Sequence, residues 1–308
     1  MNRIERVRAA LAGTEVDRPP FTVWYHFGLQ HAPAERTAQA HLEFLEAYDL
    51  DWLKVMNDYS YPMPAGLETL GDARDLGRLV PFDVTQGPPG EQLRVVGLLA
   101  SALRGRVLFV DTVFDAWNTL RRNVVKGALD AFMRESPAAL EAALGVVNDN
   151  LIRYALASLE RGAAGIFFSV PATSESLTRE QYERFMRPFD LAFLEAIRGR
   201  GEAHLLHAHG NQVYVDRLLD YPVHAISLAD RASGPSLAEM RRRTPLALVG
   251  GINHVNFPDV AAARIRDEVR GAVAEAGRAK LLLAPGCAVP TYSFPELIRA
   301  ARDEAGRT

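Results

Sequence analysis

AHLLHAH (203–209), HAISLAD (224–230), PLALVGGI (245–252) and AKLLLAPG (279–286) follow one another along the chain, and their repetition decides the fold. Each is a short apolar run that stops at a polar or glycine-containing turn. Near-continuous apolar runs of this length suit parallel strands covered on both faces. The same pattern occurs four times upstream, in FTVWY (21–25), DWLKVM (51–56), RVLFVDTVF (106–114) and AGIFFSV (164–170). Helical patterns with their own start signals lie between most of them. Ser136-Pro137 reads as an N-cap followed by a first-turn proline, and Thr178 with Gln181, Ser236 with Glu239 and Ser293 with Glu296 have capping-box spacing. Eight strand–helix alternations in 308 residues predict one (β/α)8 TIM barrel over residues 1–308. A doubly wound open sheet is the competitor, but no GxGxxG follows the first strand and no GxxxxGKS/T occurs. The proline- and glycine-rich stretch 60–105 reads as an insertion after the second strand that walls or covers the site.

Composition narrows the function classes. A 48% hydrophobic and 24% charged chain suits a globular protein with a large core. The net charge of −3 offers no basic field for nucleic acid or an anionic membrane, and Arg241-Arg242-Arg243 reads as a solvated helix end. The single cysteine forbids an internal disulfide and fits a reducing cytoplasm. The opening MNRIERVRAALAG lacks the apolar core of a signal peptide, and no run approaches the roughly 18 apolar residues of a membrane span. The expectation is a cytoplasmic enzyme acting on a small molecule, its oligomeric state open and a homodimer among the options.

In a barrel the strand ends converge on one mouth. The sharpest feature there is a metal-type set. Residues two apart on a strand share a face, so His207 and His209 of LLHAHGN (205–211) face one site. Cys287, the chain's only cysteine, closes LLLAPGC (281–287). Zinc accepts imidazole and thiolate, and three protein ligands leave a fourth position for substrate. The plain reading is a chance His-x-His pair and a cysteine acting as a small hydrophobe. Other strand ends deliver His26, Asp58, Tyr59, Ser169, Asp230, Arg231 and His254. Asp58 either accepts substrate N–H groups or caps a turn; Asp230 either orients a ligand histidine or pairs with Arg231 or Arg217. His26, Tyr59, Asn211 and Arg231 are candidates for substrate contact, and His254 is a reserve ligand. His31, His41, His204 and His224 read as surface or core residues. Ser169 lacks a GxSxG elbow, so a serine hydrolase is set aside.

These passages resemble the uroporphyrinogen decarboxylase superfamily over essentially the whole chain. The resemblance is carried by RVRAALAGTEVDRPP, DWLKVMNDYSYP, FVDTVFDAW, GAAGIFFSV, YPVHAISLADR and LVGGIN, and most specifically by HAHGN and LLLAPGCAVPTYSFPELIRAAR. It implies a (β/α)8 barrel and one of two chemistries. The heme-pathway branch decarboxylates a tetrapyrrole without metal, using an aspartate at the position of Asp58. Here its arginine motif after strand one is replaced by WYHFGLQ, and its histidine after the last strand by APGC. The other branch moves a methyl group between a corrinoid and a thiol with zinc held by His-x-Cys-Gly-Asn and Pro-Gly-Cys. His207, Gly210, Asn211 and Cys287 match that pattern, and His209 stands where the branch has cysteine. An imidazole in place of a thiolate raises the site's net charge and makes the metal more electrophilic. The resemblance thus implies zinc-dependent methyl transfer, with the corrinoid carried by a separate protein. Decarboxylation at Asp58 is the alternative, and a non-catalytic corrinoid- or tetrapyrrole-binding barrel is the third reading.

Overall fold

The computed structural model describes residues 1–308. Seven strands form one parallel sheet in chain order: β1 (Trp52–Val55), β2 (Leu108–Phe114), β3 (Gly165–Val170), β4 (Leu205–Ala208), β5 (Ala225–Ser227), β6 (Ala247–Ile252) and β7 (Leu281–Pro285). Each falls inside a segment expected from its apolar run. One face of the sheet brings Trp52, Val110, Phe167, Leu205, Ala225, Val249 and Leu282 into a single buried cluster. All seven strands contribute to it, so the sheet is curled around its own interior. The opposite face packs Leu53, Phe109, Phe168, Leu206 and Leu248 in the layer shared with the helices. This is a TIM-like α/β fold.

The eighth expected strand, FTVWY, is not formed. Phe21 alone makes a bridge, to Leu283. Leu283 N donates to Pro20 O (2.8 Å), Thr22 N to Leu283 O (3.0 Å) and Asp51 N to Phe21 O (2.9 Å), so the segment touches both β7 and the start of β1. Two causes stop it there. Pro19 and Pro20 have no N–H to give a ladder, and Phe21 N is diverted to the Asp51 carboxylate (2.8 Å). Asp51 also takes Arg6 at 2.7 Å and Arg18 at 2.6 and 2.8 Å, tying the N-terminal helix Arg3–Ala12 beneath the sheet.

The helix signals are realised in part. Thr178 and Ser236 form complete capping boxes with Gln181 and Glu239. Pro137 opens its helix as expected but the Ser136 side chain makes no cap bond, and Phe294 rather than Ser293 precedes the helix Pro295–Ala305. The stretch 60–105 divides. Its first part is loop with one short helix, Ala73–Leu76, whereas Gly87–Leu103 is the crossover helix from β1 to β2. Gln92 of that helix reaches Asp111 Oδ1 at 2.9 Å, and Tyr154 and Ser158 of helix Pro137–Glu160 reach Oδ2 at 2.6 and 2.9 Å. Asp111 therefore faces the helices, not the mouth. No helix is long and apolar enough to cross a membrane.

Candidate metal centre

The register sets His207 between Ser169 of β3 and Ser227 of β5, near the C-terminal end of the sheet. Its side chain shares a face with Leu205, so it points into the interior, where its ring lies 5.2 Å from that of Phe167. Only 3% of it is exposed. Nδ1 lies 3.1 Å from Ser227 Oγ, while Nε2 is buried with no partner. Burial, followed by the nearby His209, Lys54 and His254, pushes its pKa well below the ordinary value. His207 is therefore a neutral imidazole whose second nitrogen is free, as a metal ligand requires.

His209 lies one residue past β4, its amide bonded to Val170 O at 2.9 Å. The turn after it is held by Gly210 at φ +103°, a conformation that disfavours a side chain. Thr173 donates its hydroxyl to Asn211 O, and Asn211 Nδ2 reaches Glu175 Oε1 at 3.2 Å. Asn211 thus fastens the turn to the loop after β3. Burial, then Arg121 and Arg122, lowers the His209 pKa.

Cys287 follows β7 across Gly286. A Cβ at Gly286 would stand 2.7 Å from Ala229 Cα and 3.1 Å from Leu228 O, so glycine is what lets this turn lie against the end of β5. Cys287 Sγ comes to 3.7 Å from His209 Nδ1, and one donor atom from each of His207, His209 and Cys287 lies within 4.8 Å of the others. A tetrahedral zinc with bonds of about 2.0 Å to nitrogen and about 2.3 Å to sulfur spaces those donors about 3.5 Å apart. The three residues fit such an ion after small side-chain rotations, and the orphaned Nε2 is the group such an ion would satisfy. Burial raises the Cys287 thiol above its ordinary value, against the opposing pull of Lys54. Binding of a metal through the Cys287 thiolate would release a proton.

The remaining expected residues divide between this centre and its walls. His26 Nδ1 lies 2.7 Å from Asp58 Oδ1 at the mouth. Tyr59 donates its hydroxyl to Ala32 O at 3.3 Å. Asp58 and Tyr59 line a cavity of about 310 Å³ with Arg122, Asn123 and Tyr154. The three metal-type residues are not among its lining; of the lining residues, Arg122 lowers the His209 pKa and Asp58 acts on Lys54. His254 Nδ1 is buried without a partner, and burial, then His209, pushes it down to about 4. Asp230 accepts Gly251 N at 3.0 Å and lies 3.5 Å from Arg231 Nε. Burial raises its pKa to about 6. Arg231 turns away from the mouth to Glu275 at 2.6 Å.

Three residues escaped the sequence reading. Lys54, 4% exposed, projects into the interior between Trp52 and Met56, its Nζ 4.8 Å from the Phe167 ring centre and 5.5 Å from that of Trp24. Burial pushes it down to about 8 while Cys287, Asp58 and Asp111 oppose the shift. A lone lysine inside WLKVM was the available signal. Arg122, stacked on Phe114 at 4.0 Å, supplies the mouth's cation in place of Arg231. Ser227 is a lone hydroxyl in an apolar run, and only the strand register pairs it with His207.

Among solved structures, a methyltransferase from Methanosarcina mazei superposes with a TM-score of 0.82 at 19% identity, covering 100% of this chain and 99% of its own. A B12-independent methionine synthase from Shewanella sp. W3-18-1 gives 0.62 at 11% identity, covering 94% of this chain and 92% of its own. At such identities the likeness concerns the fold. Comparison with curated protein sequences finds no match. Residues 68–307 match the family model for uroporphyrinogen decarboxylase (URO-D), and the chain belongs to that family of enzymes.

Proposed function

We propose that this protein is a zinc-dependent enzyme of methyl transfer, acting on a thiol or a corrinoid. One observation carries the reading: a buried His207 Nε2 without a partner, converging with His209 and Cys287. Zinc, when bound, supplies a Lewis acid that holds an acceptor thiol as its thiolate near neutral pH. The chain's own residues do the rest. Ser227 fixes the His207 ring so that Nε2 faces the donor cluster. The pinned turn at Gly210–Asn211 holds His209, and the β7 turn brings up Cys287. Phe167 and Trp24 keep the floor of the site dry. The proposal extends to the cytoplasm as the compartment, a small-molecule substrate, a corrinoid carried by a separate chain, an eight-membered barrel closed by the Pro20–Thr22 segment, and an oligomeric state that includes a homodimer.

Elemental analysis of the purified protein tests this directly. About one zinc per chain, lost in Cys287→Ala, is the expected result. Chelator-free protein with no metal in either form sinks the zinc reading. The weight then moves to metal-free decarboxylation of a tetrapyrrole, a second reading favoured by Asp58, which lines the 310 Å³ cavity with Arg122.

A further inference from the structure

A second pair of polar side chains stands at the mouth without an evident structural task. His26 belongs to the irregular segment past Thr22, and Asp58 to the loop after β1; neither is in a strand or helix. Yet Nδ1 of His26 and Oδ1 of Asp58 are 2.7 Å apart, with side-chain exposures of 52% and 23%. Burial works against the Asp58 carboxylate, but the His26 hydrogen bond and the charges of His26, Lys54 and Arg122 hold its pKa below the ordinary range. An ionised Asp58 can only accept, so the proton between the two is on His26 Nδ1. That leaves Nε2, which makes no hydrogen bond within the protein, as the ring nitrogen open to a ligand. The pair adjoins the donor cluster: Val289 N, two residues past Cys287, donates to Trp24 O, two residues before His26, at 3.1 Å.

We propose that His26 is the general base of this site, taking the proton from a neutral acceptor thiol while Asp58 orients the ring and stabilises the imidazolium. The inference rests on the metal–thiol reading above. The thiol S–H bond breaks, a new N–H bond forms at Nε2, and the electron pair stays on sulfur. The half-exposed ring then returns the proton to solvent. No neighbour is free for this task. His207 Nε2 and His209 Nδ1 belong to the donor cluster, His254 is half-buried with its Nδ1 enclosed, and Lys54 sits deeper among Phe167, Trp24 and Met56. A base at the mouth suits acceptors that arrive as protonated thiols of ordinary acidity.

The test uses the full chain loaded with cobalt(II), whose sulfur-to-cobalt absorption reports thiol binding without any turnover. The probe is 2-mercaptoethanol, followed by stopped flow between pH 6 and 9. In His26→Gln the association rate at pH 7 falls about tenfold or more, as for loss of a general base, and recovers toward wild type at pH 9. Cobalt stoichiometry stays unchanged. Asp58→Asn gives a smaller loss in the same direction, and added imidazole restores the rate in His26→Ala. Equal rates and pH profiles in wild type and His26→Gln overturn the base assignment while leaving the metal reading intact. A wild-type chain that holds no cobalt, or holds it without taking the thiol, overturns the metal–thiol reading and the base with it.

Discussion

Two groups of buried polar side chains, one around Asp51 below β1 and one at the mouth, are treated in opposite ways. Below β1, Asp51 is almost fully buried, and both of its oxygens are saturated by Arg6, Arg18 and Phe21 N. At the mouth, His207 and His254 are nearly as buried or half-buried, and each keeps a ring nitrogen with no partner. An unmet buried polar atom costs about 1–3 kcal/mol. The polar groups around Asp51 are thus spent on tying the helix Arg3–Ala12 to the sheet, whereas two histidines at the mouth each keep a nitrogen unspent. The same division is seen between two histidines. His41 has both nitrogens engaged, Nδ1 with Thr37 O at 2.8 Å and Nε2 with Met56 N at 3.0 Å, so it is a structural clamp at the end of β1. His207 has one nitrogen engaged and one waiting.

Breaking the lower end gives the largest expected effect. Asp51→Ala leaves two guanidiniums, with side-chain exposures of 9% and 13%, without their shared carboxylate. Removing one partner of such a buried set costs about 3–5 kcal/mol. Urea unfolding should show that loss, while the surviving folded protein keeps its metal. Metal loss at full stability would reverse the division of labour between the two ends.

The next effect is pH-dependent and concerns His41. Burial pushes its folded pKa down to about 4, below the ordinary 6.5. Below pH 6.5 the unfolded chain takes up a proton that the folded chain refuses. His41 therefore lowers stability as pH falls from 6.5 toward 4, by up to about 3 kcal/mol. Asp115 and Asp230, raised by burial to about 7 and about 6, act in the opposite sense over the same range. The informative quantity is thus the difference between wild type and His41→Gln, both metal-free. Glutamine keeps a donor and an acceptor but cannot take the proton, so its stability should fall less between pH 6.5 and 4.5. Parallel curves would remove His41 from the account.

How much was legible in the sequence follows the same line between local and non-local information. β2, β3, β6 and β7 were readable because an apolar run announces a buried strand by itself. FTVWY has the same composition and fails, because its hydrogen bonding is decided by Pro19, Pro20 and the distant Asp51. His207, His209 and Cys287 were legible because spacing on a strand and a single cysteine are local facts. Lys54, Arg122 and Ser227 were not, since their importance depends on which strands are neighbours and how far each is shifted. Arg231 illustrates the converse: its position at a strand end suggested the mouth, but Glu275 on helix Ala262–Ala276 draws it outward.

The smallest expected effect separates two candidates for holding the His207 ring. Asp230 is the more natural choice from sequence, since carboxylates often orient ligand histidines. The register instead sets Ser227 opposite His207, with Oγ 3.1 Å from Nδ1, while Asp230 is engaged with Gly251 N and Arg231. Ser227→Ala should weaken metal binding by about 10- to 100-fold in competition with a chelator, with little change in fold. Asp230→Asn keeps an acceptor for Gly251 N and removes a charge that burial disfavours, so its affinity for metal should match wild type. The reverse ranking would mean that Asp230 reaches the histidine through a rearrangement on metal binding. Equal, negligible effects in both variants would mean that packing against Phe167 alone fixes the ring. The two substitutions lie on one strand and its following turn, three residues apart, so a difference between them reports on the hydrogen bond and not on the strand that carries it.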